Sequence, residues 1–347
     1  MSEKNTSFSE FIAENFGANA SYVEGLFSRF QTDRTLVDES WQEYFDNLLN
    51  GKGGKDSATS EPSAGAPAKA TTPTAPAAAK QSTPSVDSDI NAKAITGASK
   101  KIVENMEQSL TVPTATSLRT IPVKLLEENR GIVNSHLKAA GRGKVSFTHI
   151  IGWAIVQAAR VYPHMNQGYG LVNGVPSRIE NENINLGIAI DIEKKDGSRN
   201  LLVPNIKGCE KMNFAEFFAA YNEQVAKARD GKLEIADFQG TTISLTNPGT
   251  LGTVASNPRL MSGQSAIIAT GAIEYPAEYQ AMTPASLSLL GISKIITLTS
   301  TYDHRVIQGA ESGLFLAKIH EYLIGQHSFY DGIFSDMSIN FSPLRWA

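Results

Sequence analysis

The sequence predicts an α/β two-layer sandwich, one sheet with helices on one face, and three observations carry that prediction. Ile184 to Ile192 alternates strictly, with Ile184, Leu186, Ile188, Ile190 and Ile192 on one side, the period of a strand packed against helices on that side. Ser146 stands as an N-cap before Phe147, Ile150, Ile151, Ala154, Ile155, Ala158 and Val161, which recur at helical intervals until Pro163 stops them. Strand-like and helix-like runs then mix in an irregular order, which suits an α/β sandwich better than separate helical and sheet domains.

Taken in order, the chain falls into three parts. Within residues 1–50, Phe8 to Leu49 carries large apolar side chains at helical spacing: Phe11, Ile12 and Phe16, then Tyr22, Val23, Leu26, Phe27 and Phe30, then Trp41, Tyr44, Phe45 and Leu48. So small a unit cannot bury them all. That leaves a helical hairpin folded on itself or, favoured by the apolar area, an amphipathic docking segment that completes its core on a partner. Residues 51–90 turn to Ala, Pro, Ser, Thr, Gly and Lys, a composition that cannot offset its own ordering entropy and predicts a disordered, partly extended linker.

Residues 91–347 form the larger unit. A helix is expected over Ala98 to Leu110, an extended stretch over Val112 to Val123, and a helix over Lys124 to Lys138 with Leu125, Leu126, Ile132, Val133 and Leu137 inward. After the Ile184 to Ile192 strand come a short strand at Leu201 to Ile206 and a helix striped by Phe214, Phe217, Phe218, Tyr221 and Val225 that ends before Gly231. Further strands are expected at Thr241 to Leu245, Ala266 to Ile273 and Ser293 to Tyr302. A closing helix covers Ala310 to Leu323, with Ala310, Leu314, Ala317 and Leu323 near one face. Periodicity does not give the strand order.

Composition narrows the function. A net charge of −4 with interspersed signs offers no basic footprint for nucleic acid. The one cysteine, Cys209, excludes an internal disulfide framework and a cysteine-built metal site, and makes a reducing cytoplasm the simplest setting. No apolar run approaches the length of a membrane span, and MSEKNTSFSE lacks the regions of a signal peptide. His136, His149, His164, His320 and His327 show no metal-ligand spacing, so no metal is expected. Gly249 and Gly252 lack the following Lys-Ser or Lys-Thr of a phosphate loop.

The strongest signal for chemistry is Thr297 to Gly313, TLTSTYDHRVIQGAESG. Thr297, Thr299 and Thr301 alternate with Leu298, Ser300 and Tyr302 as in a strand; the run then breaks into Asp303, His304 and Arg305 before the closing helix. A histidine held between a strand end and a helix start is fixed yet reachable, which makes His304 the first candidate.

DHRVIQG resembles the DHRxxDG signature of the acyltransferase component of 2-oxoacid dehydrogenase complexes. Upstream, ISLTNPGTLGT from Ile243 to Thr253 is similar to the second family motif, a strand followed by Ser or Thr, Asn and Gly. From about Ala94 to Trp346 the chain resembles the acyltransferase segment of the multifunctional 2-oxoglutarate dehydrogenases of actinobacterial type. NASYVEGLFSRFQTDRTLVDESWQEYF resembles the N-terminal region of 2-oxoglutarate decarboxylase components.

The resemblance implies a chloramphenicol-acetyltransferase-like fold, a homotrimer with each active site between two subunits, and transfer of a succinyl group from a lipoyl thioester to coenzyme A in the tricarboxylic acid cycle. It implies His304 as general base and Thr246 as the hydroxyl that stabilises the tetrahedral intermediate. Gln308 falls where the family has Asp or Asn. A Gln makes only neutral hydrogen bonds, so Gln308 is carried as a catalytic candidate that more plausibly orients structure, while Asp303 and Arg305 fix the loop by ion pairing. No lipoyl attachment motif is present, so lipoyl is expected on another protein. The implied partners are that lipoyl-bearing protein and the decarboxylase and dihydrolipoamide dehydrogenase components. Pro343-Leu344-Arg345-Trp346 resembles the segment that precedes the decarboxylase in fused enzymes; the chain is therefore expected to be part of a longer protein or a truncated product, and thiamine diphosphate and Mg are implied only if a C-terminal decarboxylase part exists. Two other readings stay open: a different coenzyme A-dependent acetyltransferase on the same fold, and a non-catalytic scaffold.

Overall fold

The computed structural model describes residues 12, 16, 19–49, 95, 98–193, 197 and 199–345. The expected linker at 51–90 lies outside the described residues.

Among the described residues, Ile12 and Phe16 are helical and precede two helices of stated bounds, α1 at Ala20–Thr32 and α2 at Glu39–Leu49. Their aromatic stripes meet, with Phe27 and Phe45 centroids 5.1 Å apart and Trp41 and Phe45 5.4 Å apart. The rest of the apolar face is covered by the chain's own Leu202, Ala228, Leu233 and Phe238. Trp41 Nε1 donates to the Leu233 carbonyl at 2.9 Å and Tyr22 Oη to that of Gly231 at 2.7 Å. The surface that the sequence reading reserves for a partner is thus occupied within the chain. Periodicity shows that a face must be buried and cannot show against what.

The larger unit begins with α3 at Ala98–Ser109, strand β1 at Thr114–Pro122 and α4 at Lys124–Ala139. Helix α5 spans Phe147–Val161, capped by Ser146 as expected, and β2 at Gly168–Val172 pairs with β3 at Val175–Ile179. The sequence reading missed this hairpin although Asn173-Gly174, both at positive φ (51° and 79°), is the dipeptide that a two-residue loop of this hand demands.

The single strand expected over Ile184 to Ile192 is two. Strand β4 at Leu186–Ile188 lies in the main sheet, and β5 at Ile190–Glu193 leaves it to pair with β6 at Arg199–Leu202. Alternation continues unbroken through Ala189, so the pattern cannot register the change of partner. The expected Leu201 to Ile206 strand likewise divides at Val203-Pro204, where proline has no N–H for a ladder, leaving β7 at Asn205–Ile206.

Helix α6 at Phe214–Asp230 ends on Gly231 in the left-handed conformation (φ 70°), and the short α7 at Ile235–Phe238 follows. Then come β8 at Ile243–Thr246, β9 at Ala266–Thr270, α8 at Pro284–Leu289, β10 at Ile295–Asp303, α9 at Gly309–Leu323 and α10 at Phe329–Asp336.

The main sheet has the order β1-β10-β9-β8-β4-β7, with β8 parallel to both β4 and β9 and the other neighbours antiparallel. Ile121, Leu186, Leu245, Ile268 and Leu298 from the sheet pack on Leu126, Ile151, Ile155, Phe217, Phe315 and Ile319 from the helices, the two layers expected. On β10 the threonines turn away from the helices and meet β1, with Thr116 and Thr301 hydroxyls 2.9 Å apart, while the Ser312 hydroxyl of α9 reaches that of Ser300 at 3.1 Å. The buried face of α9 is Ser312, Phe315, Leu316, Ile319 and Leu323. The expected stripe is corrected: Ala310 and Leu314 are exposed, because the helix is turned so that small Ser312 makes the close approach to the sheet.

Candidate active site

His304 follows the last residue of β10, and its N–H continues the edge pairing by donating to the Pro113 carbonyl at 3.0 Å. The chain then turns tightly, since the Asp303 carbonyl accepts from the N–H groups of Val306 (3.2 Å) and Ile307 (3.0 Å). Asp303 is 3% exposed, and Arg305 grips its carboxylate with N–H at 3.0 Å, Nε at 2.9 Å and Nη2 at 2.6 Å. The Arg305 guanidinium, its pKa raised by that hydrogen bond, lies over the Tyr169 ring of β2 at 3.7 Å. Arg178 of β3 donates to the Val306 carbonyl at 3.0 Å. The hairpin absent from the sequence reading is therefore the floor of the His304 loop.

Within that frame the His304 side chain is exposed, with Nδ1 3.0 Å from the Ile307 carbonyl. A carbonyl can only accept, so the neutral ring carries its proton on Nδ1 and leaves the Nε2 lone pair free to take one, the state of a general base.

Gln308 is the N-cap residue of α9, and its N–H donates to Glu311 Oε2 at 2.7 Å. Partial burial works to raise the Glu311 carboxyl, yet the Gln308 N–H and the His164 ring, 2.7 Å away, hold it below the usual range. His164, Glu311 and Arg178 join the site as braces that sequence reasoning missed. Asn173-Gly174 could have revealed the hairpin bearing Arg178, whereas no local signal couples His164 to Glu311.

Thr246 ends β8 and is half-buried. Asn247 Nδ2 donates to the Thr148 hydroxyl of α5 at 3.1 Å, and a single 3₁₀ turn, Pro248–Leu251, follows. The turn lies flat against 271–272: a Cβ on Gly249 would stand 2.2 Å from the Gly271 carbonyl oxygen, and one on Gly271 1.8 Å from that of Val254. Only two glycines allow that approach. Thr246 opens onto a cleft of about 620 Å³ shared with Val203, Ser244, Arg259, Met261 and Gln264. Ser244 donates to Gln264 Oε1 at 2.7 Å, which fixes the amide.

His304 and Thr246 lie at opposite ends of the sheet. Thr246 pairs with Ala269, and Ala269 pairs with Thr299. His304 is five residues beyond Thr299, about 16 Å along the strand, and two strand spacings, about 10 Å, to the side. Roughly 19 Å therefore separates the two backbones, too far for one chain's pair to act on one carbon.

Other reactive groups serve the core. His149 is buried against Phe218 and Tyr221, and desolvation lowers its pKa to about 4. Burial pushes the Cys209 thiol up to about 12, and its Sγ donates to the Ile206 carbonyl, so it is no nucleophile. No helix among the described residues is long and apolar enough to cross a membrane.

The comparisons with known proteins bear on the family and the fold. A family model described as the catalytic domain of the 2-oxoacid dehydrogenases acyltransferase matches residues 87–328, and one described as the 2-oxoglutarate dehydrogenase N-terminus matches 15–52. The chain is 46% identical over 95% of its length to the multifunctional 2-oxoglutarate metabolism enzyme of Mycolicibacterium vanbaalenii, covering 30% of that protein. It is also 46% identical over 96% of its length to the 2-oxoglutarate dehydrogenase E1/E2 component of Corynebacterium glutamicum, covering 29% of it. The chain thus spans less than a third of these relatives. Among solved structures, the cubic core of the pyruvate dehydrogenase multienzyme complex superposes with a TM-score of 0.59 at 24% identity, covering 72% of this chain and 98% of that one. A probable dihydrolipoamide acetyltransferase of Listeria monocytogenes gives 0.56 at 23% identity, covering 74% of this chain and 100% of that one.

Proposed function

The chain belongs to the 2-oxoacid dehydrogenase acyltransferase family, and on that premise we propose that it transfers a succinyl group from a lipoyl thioester to coenzyme A within a 2-oxoglutarate dehydrogenase assembly. The observation that carries this reading is the placement of His304 in the exposed loop after β10, with Nδ1 3.0 Å from the Ile307 carbonyl.

In the proposed reaction, His304 Nε2 takes the proton of the coenzyme A thiol, whose ordinary pKa near ~8.5 leaves little thiolate at neutral pH. The sulfur attacks the thioester carbonyl, and the Thr246 hydroxyl donates to the oxygen as it becomes an oxyanion. Collapse breaks the bond from carbon to lipoyl sulfur, and the imidazolium returns its proton to that sulfur. The products are succinyl-coenzyme A and the dihydrolipoyl thiol, with no acyl group on the enzyme.

Since roughly 19 Å separates the two residues in one chain, the active unit is an assembly of copies, proposed as a trimer, in which His304 of one copy faces Thr246 of the next. Gln308 is proposed as an orienting residue at the start of α9. We divide the chain into a helical segment at 1–50, a linker at 51–90 and the acyltransferase unit at 91–347. The lipoyl group comes from another protein, and decarboxylase and dihydrolipoamide dehydrogenase components act with this chain in the assembly; thiamine diphosphate and Mg enter only if a C-terminal decarboxylase part exists beyond this chain.

Supplying a succinylated lipoyl domain and coenzyme A and following thioester formation tests the reading. The parent chain is expected to turn over and His304→Ala to fail. Equal rates in the two, or none in either, would favour a scaffold; activity with acetyl and a small-alcohol acceptor alone would favour another acetyltransferase.

A further inference from the structure

Building on that transfer reaction, we propose that Arg259 binds the terminal carboxylate of a dicarboxylic acyl group and so selects succinyl over uncharged acyl groups. Among the described residues lining the Thr246 cleft, Arg259 is the one charged side chain. It has no hydrogen bond or ion pair among the described residues, whereas Arg178 and Arg305 at the His304 end of the sheet are both engaged.

The backbone around it is fixed. Thr299 Oγ1 donates to the Ser256 carbonyl at 2.6 Å on one side, and Leu260 is fully buried on the other. The guanidinium thus leaves an anchored strap toward a cleft walled by Val203, Met261 and Ile267. Apolar walls suit the methylenes of an acyl chain and a thiol-bearing arm, and the guanidinium of Arg259, exposed in this chain, is free to form a fork with a carboxylate. A single cation matches the single carboxylate of a succinyl group. Coenzyme A carries several phosphate charges and would call for a cluster of cations. A neutral acyl group offers the guanidinium no counter-charge, so the cleft favours the carboxylated group.

The test compares succinyl and butyryl dihydrolipoamide as donors to coenzyme A, in the parent chain, Arg259→Met and Arg259→Lys. Loss of one charged hydrogen-bonded contact predicts that the succinyl-to-butyryl ratio of kcat/KM falls about 10- to 100-fold in Arg259→Met, with partial recovery in Arg259→Lys. Equal losses for both donors, with a raised KM for coenzyme A but not for pantetheine, would assign the arginine to a phosphate and overturn the proposal. An unchanged ratio would overturn it as well. Calorimetric binding of a non-reactive carboxypropyl thioether of lipoamide against its propyl counterpart keeps the test independent of chemistry. If the parent chain transfers neither acyl group yet binds the carboxylated analogue through Arg259, acyl transfer fails and the contact stands. No preference for that analogue refutes the contact.

Discussion

The two strand ends that carry the candidate chemistry are built by opposite means. At the end of β10, His304 is exposed and its loop is held by polar bonds: a buried carboxylate, a threefold arginine grip and a second arginine from the β2–β3 hairpin. At the end of β8, Thr246 is half-buried and its turn is held by contact, with Gly249 and Gly271 letting two backbones touch. A base must gain and lose a proton in reach of solvent and tolerates a small range of positions. An oxyanion donor must sit still while charge develops beside it, which suits packing better than long polar side chains.

The largest effects should come from removing the two functional groups. His304→Ala should lower kcat about 10²- to 10⁴-fold and Thr246→Ala about 10²- to 10³-fold, read by steady-state thioester transfer. Thermal unfolding should stay near the parent value in both, since neither side chain is in the core. If Thr246→Ser falls as far as Thr246→Ala, the hydroxyl is not the working group.

Gly271→Ala attacks the packing side. The new Cβ would sit 1.8 Å from the Val254 carbonyl oxygen, so the backbone must move, and a loss of about 2 kcal/mol or more by chemical denaturation is expected together with lost transfer. Full stability and activity in that variant would mean that the turn after Thr246 is looser than described.

A smaller, pH-dependent effect belongs to His149, beneath the Thr246 side through its α5 neighbour Thr148. Its pKa is about 4 when folded and near 6.5 ordinarily, so the unfolded chain binds the proton first. Its contribution to stability is complete above about pH 6.5 and declines as pH falls toward 4, by at most about 1.4 kcal/mol per pH unit. Denaturation of the parent and of His149→Gln between pH 7 and 5 should show a steeper acid loss in the parent.

The smallest change is expected at Gln308. Its backbone N–H, rather than its amide, is what Glu311 holds, so Gln308→Ala should cost less than about tenfold in kcat. A loss as large as that of His304→Ala would make the amide a catalytic group.

What the sequence made legible follows the range of the forces involved. His304 and Thr246 stand in short motifs, and the Ser146 cap and Gly231 stop are local events. They needed no knowledge of the rest of the chain. The split of Ile184 to Ile192 was hidden because a strand keeps its alternation when it changes partners. The covering of α1 and α2 by Leu233 and Phe238 depends on residues about two hundred positions away. Arg259 stands in no local motif, since only the folded strap brings it to the Thr246 cleft.

Complementation tests most directly whether each chain carries two half-sites. His304→Ala and Thr246→Ala chains, each inactive alone, are co-expressed and their joint assembly assayed for succinyl transfer. Random pairing of copies predicts recovery of about one quarter of the parent rate, because an intact His304 then meets an intact Thr246 across some of the boundaries. A mixed assembly no more active than either variant would contradict a site shared between copies.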